Sequence, residues 1–390
     1  MKKLVLLALL GLIASVHAQP PVGGGIGKLT DTFLDFEDGQ TVFGVLGEGG
    51  KVSVDKNKGI AKEGNAALRF DYPLAPGQFN SLMKTGQPGE ASKLKSFRFW
   101  VKSDYATTLV FVLQEQDSGR HVALINTPKN QWQRVELSLD DFVLSTDAND
   151  PQDNNGRLDM DLVVAAALTD FKQFLINFDD ENMRKLMGIK DGPHSFWVDD
   201  FEASREALPV AEVDPNEPPG TFLLDAFLRP QLSWAVMGDV LVKQVTEASL
   251  KEQGRAITLR GQGLQAEYRQ QPGSLIGLVK PFRTGALKDM AALRFAIATE
   301  QPMTLLLQLE ETSGGKYNTT VELPADNKPG EVRLVPMLFE QAEDSKDNNN
   351  RLDLSQVKHV SFIDITGFLG GAVADNVLWL SNLRVENKAP

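Results

Sequence analysis

Apolar and polar residues alternate in short runs along most of this chain, and turn residues separate the runs. Phe97, Phe99 and Val101 fall on one side of an extended segment, with Arg98, Trp100 and Lys102 on the other. Leu109, Phe111 and Leu113 share a face in the next segment, as do Leu305, Leu307 and Leu309 further on. Asp117-Ser118-Gly119, Ser313-Gly314-Gly315 and Lys328-Pro329-Gly330 supply turns. The pattern predicts many short antiparallel strands. One stretch departs from it: Leu162 to Phe174 sets Val163, Val164, Ala167, Phe171 and Phe174 on a common helical face, which predicts a few helical turns.

The pattern is written twice. Ser96 to Val101 matches Ala292 to Ile297, and Thr108 to Gln114 matches Thr304 to Glu310. Val135-Glu136-Leu137 with Phe142 matches Val332-Arg333-Leu334 with Phe339. The loop Asp153 to Asp159 matches Asp347 to Asp353, and Trp197 falls on Trp379. At roughly 170–185 residues, each copy far exceeds a solenoid repeat and is large enough for a domain of its own. The predicted fold is all-β: two tandem antiparallel jelly-roll β-sandwich domains, over 31–204 and 221–387. Between them, 205–220 is an acidic linker that Pro209, Pro215, Pro218 and Pro219 make semi-rigid.

Ahead of the first copy, Lys2 and Lys3 precede an apolar stretch from Leu4 to Val16, and Val16-His17-Ala18 has the small-x-small form of a cleavage site. Residues 1–18 therefore read as an export signal, too short for a permanent membrane span, and 19–30 as a flexible leader with Gly23-Gly24-Gly25. A secreted or periplasmic protein is expected, with no membrane insertion after cleavage.

Composition narrows the chemistry. With 40 Lys and Arg against 52 Asp and Glu, the net charge of -12 argues against nucleic acid as partner, since phosphates are held by clustered cations. The chain has no cysteine, which excludes disulfides, thiolate metal sites and cysteine nucleophiles. Its 4 histidines do not recur at matched positions, and neither a nucleophile elbow nor a glycine-rich phosphate loop is present. The chain reads as no enzyme.

Leu34-Asp35-Phe36-Glu37-Asp38, the Phe97 to Lys102 strand, Trp132 to Leu137 leading to Asp141-Phe142, the Arg157-Leu158-Asp159 loop and the closing Trp197 to Phe201 form an ordered set. That set resembles the galactose-binding-like jelly rolls found as carbohydrate-binding modules, over nearly all of 31–204 and more loosely over 221–387. The resemblance implies a non-catalytic module that presents sugar to one sheet face or to loops. It also implies a structural calcium where the terminal strands meet, for which Glu37 and Asp200 are the candidates; a solvated edge acid is the alternative. In the second copy Ser381-Asn382 replace Asp199-Asp200, so the calcium is expected only in the first.

Arg98 and Trp100 are the candidate sugar contacts, because an indole stacks on the CH face of a pyranose while a guanidinium meets hydroxyls. Gln114 is expected to add a hydrogen bond from the next strand. Packing of Trp100 under a loop or the other domain is the alternative, and Trp132, Trp197 and Trp379 read as packing residues. The duplicated Asp153/Asn155/Asp159 and Asp347/Asn349/Asp353 loops offer oxygen ligands, but an EF-hand register would put Pro151 at the first ligand position. An Asx-rich turn, with Gly156 and Asn350 in the left-handed region, fits better. The leading function is a secreted, non-catalytic glycan- or polysaccharide-binding protein. The runner-up is a structural or adhesive envelope protein, and a glycoside-active enzyme is third.

Overall fold

The computed structural model describes residues 32–388, except 58, 118, 146–152, 154, 177–183, 186, 210–219, 256, 260, 327, 348 and 372. The expected export signal and leader, and most of the expected linker, lie outside the described residues. The chain divides into two compact units. One takes the described residues up to Pro209 together with Arg229–Ala235; the other takes the rest of the chain from Gly220 onward. Among the described residues no helix is long and apolar enough to cross a membrane.

The first unit contains β1 (Thr32–Leu34), β2 (Gly44–Leu46), β3 (Lys51–Asp55), β4 (Ala67–Leu74), β5 (Ser81–Thr85), β6 (Ser96–Ser103), β7 (Thr107–Glu115), β8 (Arg120–Thr127), β9 (Gln133–Ser138), β10 (Val143–Leu144), β11 (Val163–Asp170) and β12 (Gly192–Ser204). One antiparallel sheet runs β3-β4-β12-β6-β9, with β1 also on β12, and the other runs β10-β8-β7-β11-β5-β2. The second unit contains β13 (Thr221–Asp225), β14 (Ala235–Met237), β15 (Val240–Thr246), β16 (Gln262–Gln270), β17 (Ile276–Pro281), β18 (Met290–Thr299), β19 (Met303–Glu311), β20 (Lys316–Leu323), β21 (Gly330–Leu334), β22 (Glu340–Gln341), β23 (Val357–Asp364) and β24 (Ala374–Asn387). Its sheets run β15-β16-β24-β18-β21, with β13 on β24, and β14-β17-β23-β19-β20-β22. Strand for strand the two orders are the same, so the all-β tandem sandwich and the duplication expected from the sequence are both present.

The alternation along the strands sets the core. Phe97, Phe99 and Val101 of β6 meet Leu109, Phe111 and Leu113 of β7 and Ala123 and Ile125 of β8 between the sheets of the first unit. Ring pairs such as Phe97–Phe111, centroids 5.2 Å apart and edge-on, add directional packing to the burial. Each fully buried aromatic stabilises the fold by about 1.5–3 kcal/mol relative to exposure.

The helical reading of 162–174 is corrected. Val163–Asp170 is a strand inserted between β7 and β5, and only Lys172–Leu175 is helical. A register shift between Val163 and Ala165 breaks strict alternation, which made the segment resemble a helical face. Pairing on both edges outweighs the helix propensity of three successive alanines.

A second irregularity is duplicated. The pairing of β12 with β6 shifts between Asp199 and Glu202, and Asp200 has φ 46°. The pairing of β24 with β18 shifts at the matching place, where Asn382 has φ 55°. Phe196 and Val198 face the core before the bulge, and Phe201 and Ala203 face it afterwards.

Candidate functional site

The outer face of the β3-β4-β12-β6-β9 sheet carries the candidate residues. The pairing register lays them out in three cross-strand rows. Arg98 stands opposite Glu136 on β9 and Glu202 on β12, and its guanidinium is 3.3 Å from the Glu202 carboxylate. Trp100 stands opposite Arg134 and Asp199. Lys102 stands opposite Trp197, which in turn stands opposite Arg69 on β4.

Indoles and cations alternate on this face. The Lys62 ammonium lies 4.6 Å from the centroid of the half-buried Trp100 ring, and the Arg134 guanidinium 5.5 Å. Lys102 reaches both the Trp132 ring, at 4.8 Å, and the Trp197 ring, at 4.9 Å; Arg69 lies 5.3 Å from Trp197. Such contacts hold rings and cations in fixed relative positions, at about 0.5–1 kcal/mol each where solvent reaches them. Beside the Arg69 end, Lys51, Ser53, Asp55, Asn57, Arg69 and Asp71 line an open cleft of about 420 Å³.

Burial works to raise Asp55, but the Asn57 amides, the Trp197 indole N–H and Arg69 outweigh it and hold the carboxyl below its usual range. Asp55 is therefore an acceptor at neutral pH. Burial lowers Lys102 against the pull of Asp55, and its ammonium donates to the Ile60 carbonyl at 3.2 Å. Together, the half-exposed Trp100 and Trp132 rings and the charged hydrogen-bonding groups suit a neutral, hydroxyl-rich ligand with apolar CH faces.

Arg98 and Trp100 are neighbours here, as the alternation of β6 requires. Gln114 is not with them. It lies on β7, which belongs to the other sheet, and its outward face is on the far side of the sandwich. Consecutive strands β6 and β7 cross between sheets, so adjacency in sequence does not bring their outer faces together. Lys102, Arg69, Asp55 and Trp132 complete the face, Trp132 as a half-exposed ring rather than the packing residue its sequence context suggests. The parity of Lys102 with Arg98 and Trp100 was the available signal.

Glu37 and Asp200 come to one corner, where β1 pairs with β12 and Leu34 stands opposite Phe201. One Glu37 oxygen accepts the N–H groups of Asn65 and Ala66, which outweigh partial desolvation and hold its carboxyl low. Burial, then the charges of Glu63, Asp35 and Glu37, raise Asp200. The neighbouring Asp199 is buried and accepts from the N–H groups of Lys62, Glu63 and Asp200.

The duplicated acidic loops form successive Asx turns. Asp153 accepts the Asn155 N–H at 3.1 Å and Asn155 that of Arg157 at 2.7 Å; Asp347 and Asn349 do the same for Asn349 and Arg351. Gly156 has φ 69° and Asn350 φ 55°, the left-handed positions the turn requires.

The second unit carries the same sheet with a different surface. Ala296 occupies the place of Trp100, opposite Glu331 and Ser381. Arg294, Arg333 and Arg384 pair with Glu331 and Glu386. Trp379 is covered by the helix Glu247–Glu252 and the segment after it, in a small apolar cluster with Leu250, Ile257 and Leu259.

The two-sheet sandwich with an aromatic and ionic sheet face defines the class: a β-sandwich protein whose first unit presents a ring-bearing surface. The sequence model of the carbohydrate binding domain (family 11) matches residues 17–184, nearly all of the first copy. The resemblance to carbohydrate-binding modules read from the sequence is thus borne out. No curated protein matches the chain. Among solved structures, the family 11 carbohydrate-binding module of a cellulosomal cellulase of Clostridium thermocellum is similar over 44% of this chain and 97% of that one, at 13% identity and TM-score 0.34. The same family's module from that organism with a β-1,3-1,4-mixed-linked tetrasaccharide covers 44% and 98%, at 13% identity and TM-score 0.34. A tandem pair of family 22 modules from Paenibacillus barcinonensis covers 95% and 100%, at 10% identity and TM-score 0.29.

Proposed function

We propose that this is a secreted, non-catalytic carbohydrate-binding protein whose first sandwich takes a glycan on the outer face of its β3-β4-β12-β6-β9 sheet. The observation that carries the reading is Trp100, half-buried between Arg98 and Lys102 on β6, with Lys102 against the Trp132 ring, in the copy that matches a carbohydrate binding domain. The ring supplies apolar stacking area, and the flanking guanidinium and ammonium groups supply donors for hydroxyls. The ionised Asp55 supports binding rather than acid catalysis. The apolar N-terminal stretch supports export.

A glycan array probed with the purified protein, beside its Trp100→Ala and Trp132→Ala variants, tests this. The reading expects binding to at least one glycan class that both variants weaken. Binding unchanged by either substitution would move the site off this face, and no binding to any glycan would end the reading.

A further inference from the structure

We propose that Glu115, His121 and Asp153 in the first sandwich form a binding site for one zinc-class divalent metal ion. The three side chains meet at one end of the sandwich interior. Glu115 ends the inward series Leu109, Phe111, Leu113 on β7, and His121 precedes the inward Ala123 and Ile125 on β8, where it stands opposite Leu113, two residues out of line with Glu115. Asp153 arrives from the Asx-turn loop.

All three are sequestered. Glu115 is 1% exposed and His121 2%, and the Asp153 side chain is 1% exposed. Glu115 Oε2, His121 Nε2 and Asp153 Oδ2 each lack a hydrogen-bond partner, and one ligand atom from each residue falls within 4.8 Å of the others. Leaving three buried polar atoms unsatisfied is costly, more so where the group is charged. A shared cation removes that cost at a stroke.

The geometry selects the kind of cation. His121 Nε2 lies 3.5 Å from Asp153 Oδ2 and 3.7 Å from Glu115 Oε1. Donors bound to zinc at ~2.0–2.2 Å in a tetrahedron stand about 3.4 Å apart, so the two edges from His121 are already close to that spacing and the third pair lies within 4.8 Å. An imidazole with two carboxylates suits zinc, whereas calcium takes six to eight oxygens. Gly119 leaves the room: a Cβ there would sit 2.5 Å from Glu115 Oε2 and 3.1 Å from the Asp153 Cβ.

The second copy supplies an internal control. It keeps the glutamate, the glycine and the aspartate as Glu311, Gly315 and Asp347, but Tyr317 stands where His121 does. The Tyr317 hydroxyl donates to Asp347 Oδ2, and the Ser313 hydroxyl donates to Glu311 Oε2 at 3.0 Å. The second copy thus satisfies internally the two carboxylate atoms that the first leaves open.

The test uses the full chain, stripped with a chelator and titrated with zinc alone by calorimetry, beside His121→Tyr. That variant installs the side chain the second copy already accommodates. The wild type is expected to bind one zinc per chain that His121→Tyr lacks or binds at least 100-fold more weakly, with a rise in melting temperature only in the wild type. Asp153→Asn serves the same comparison if circular dichroism shows His121→Tyr unfolded. Equal zinc binding by wild type and variant, no zinc binding by the wild type, or displacement of its zinc by millimolar calcium would overturn the assignment.

Discussion

Trp197 and Trp379 occupy the same position in the two sandwiches and meet opposite surroundings. Trp197 is flanked across its strands by Lys102 and Arg69, and Trp379 by Ala298 and Gln265. The first ring belongs to a charged outer face, and its N–H reaches Asp55 at 3.3 Å. The second is 1% exposed beneath apolar residues of the β15–β16 connection, its N–H on Gln265 at 3.0 Å.

Trp379→Ala should therefore act as a core deletion. It removes the centre of the cluster formed with Val245, Leu250 and Ile257 and orphans Gln265 Oε1. A loss of about 3–5 kcal/mol is expected, enough to unfold the second unit at low denaturant. Equilibrium denaturation followed by near-ultraviolet circular dichroism measures it, and a loss under about 1 kcal/mol would contradict the packing role.

Trp100→Ala should separate binding from stability. Phe97 and Phe99, not Trp100, face the core. The fold should lose only the two cation–π contacts, about 1–2 kcal/mol together. Glycan affinity should fall by about 1–3 kcal/mol, the scale of a central aromatic at a binding surface. Calorimetry alongside a thermal melt distinguishes this from unfolding, which would make Trp100 a packing residue.

The stability of the second unit should depend on His359. Burial, and then the charges of Lys358 and Lys316 against the opposing pull of Glu310, push its imidazole down to about 4. Lys358, 3.0 Å from Glu310, is the counter-ion of that carboxylate. His359 is neutral in the fold and takes a proton more readily once unfolded. Its contribution is intact above pH 6.5 and is lost as the pH falls towards 4, about 2–3 kcal/mol over that window. Denaturant midpoints at pH 7 and pH 4.5 should show this drop, and His359→Gln should flatten it. An unchanged slope in the variant would locate the acid sensitivity elsewhere.

A terminal calcium in the first unit is a proposal with its own test. Asp200 is raised by burial and by three neighbouring acids, a corner that a divalent ion would relax. Calcium should raise the melting temperature of the first transition, and Asp200→Asn should reduce that rise, with the second transition unmoved. A first transition indifferent to calcium and chelator removes the ion from Glu37 and Asp200.

The alternation in β6, β7 and β19 made the sandwich legible, because a strand with one buried face must repeat every second residue. The same rule put Arg98, Trp100 and Lys102 on one outer face. It could not reveal the bulge at Asp199–Asp200, where one extra residue exchanges the two faces of β12 without any local mark beyond an aspartate that tolerates positive φ. It also misplaced Gln114, since nothing in the strands themselves records that the chain changes sheets after Ser103. Glu115 and His121 are polar residues that continue an apolar series, a pattern that reads as surface although both are buried.

The matched sandwiches have one further consequence. A protein with two equivalent sugar faces gains avidity along a repeating polymer, by ~10²–10⁴ over a single site. Here the surface matching Trp100 carries Ala296 amid a lattice of arginine–glutamate pairs. On the proposed reading the chain is monovalent. It would occupy a polysaccharide along a single hyperbola, indifferent to how densely the sugar is displayed, and would leave each strand at the pace of one contact letting go.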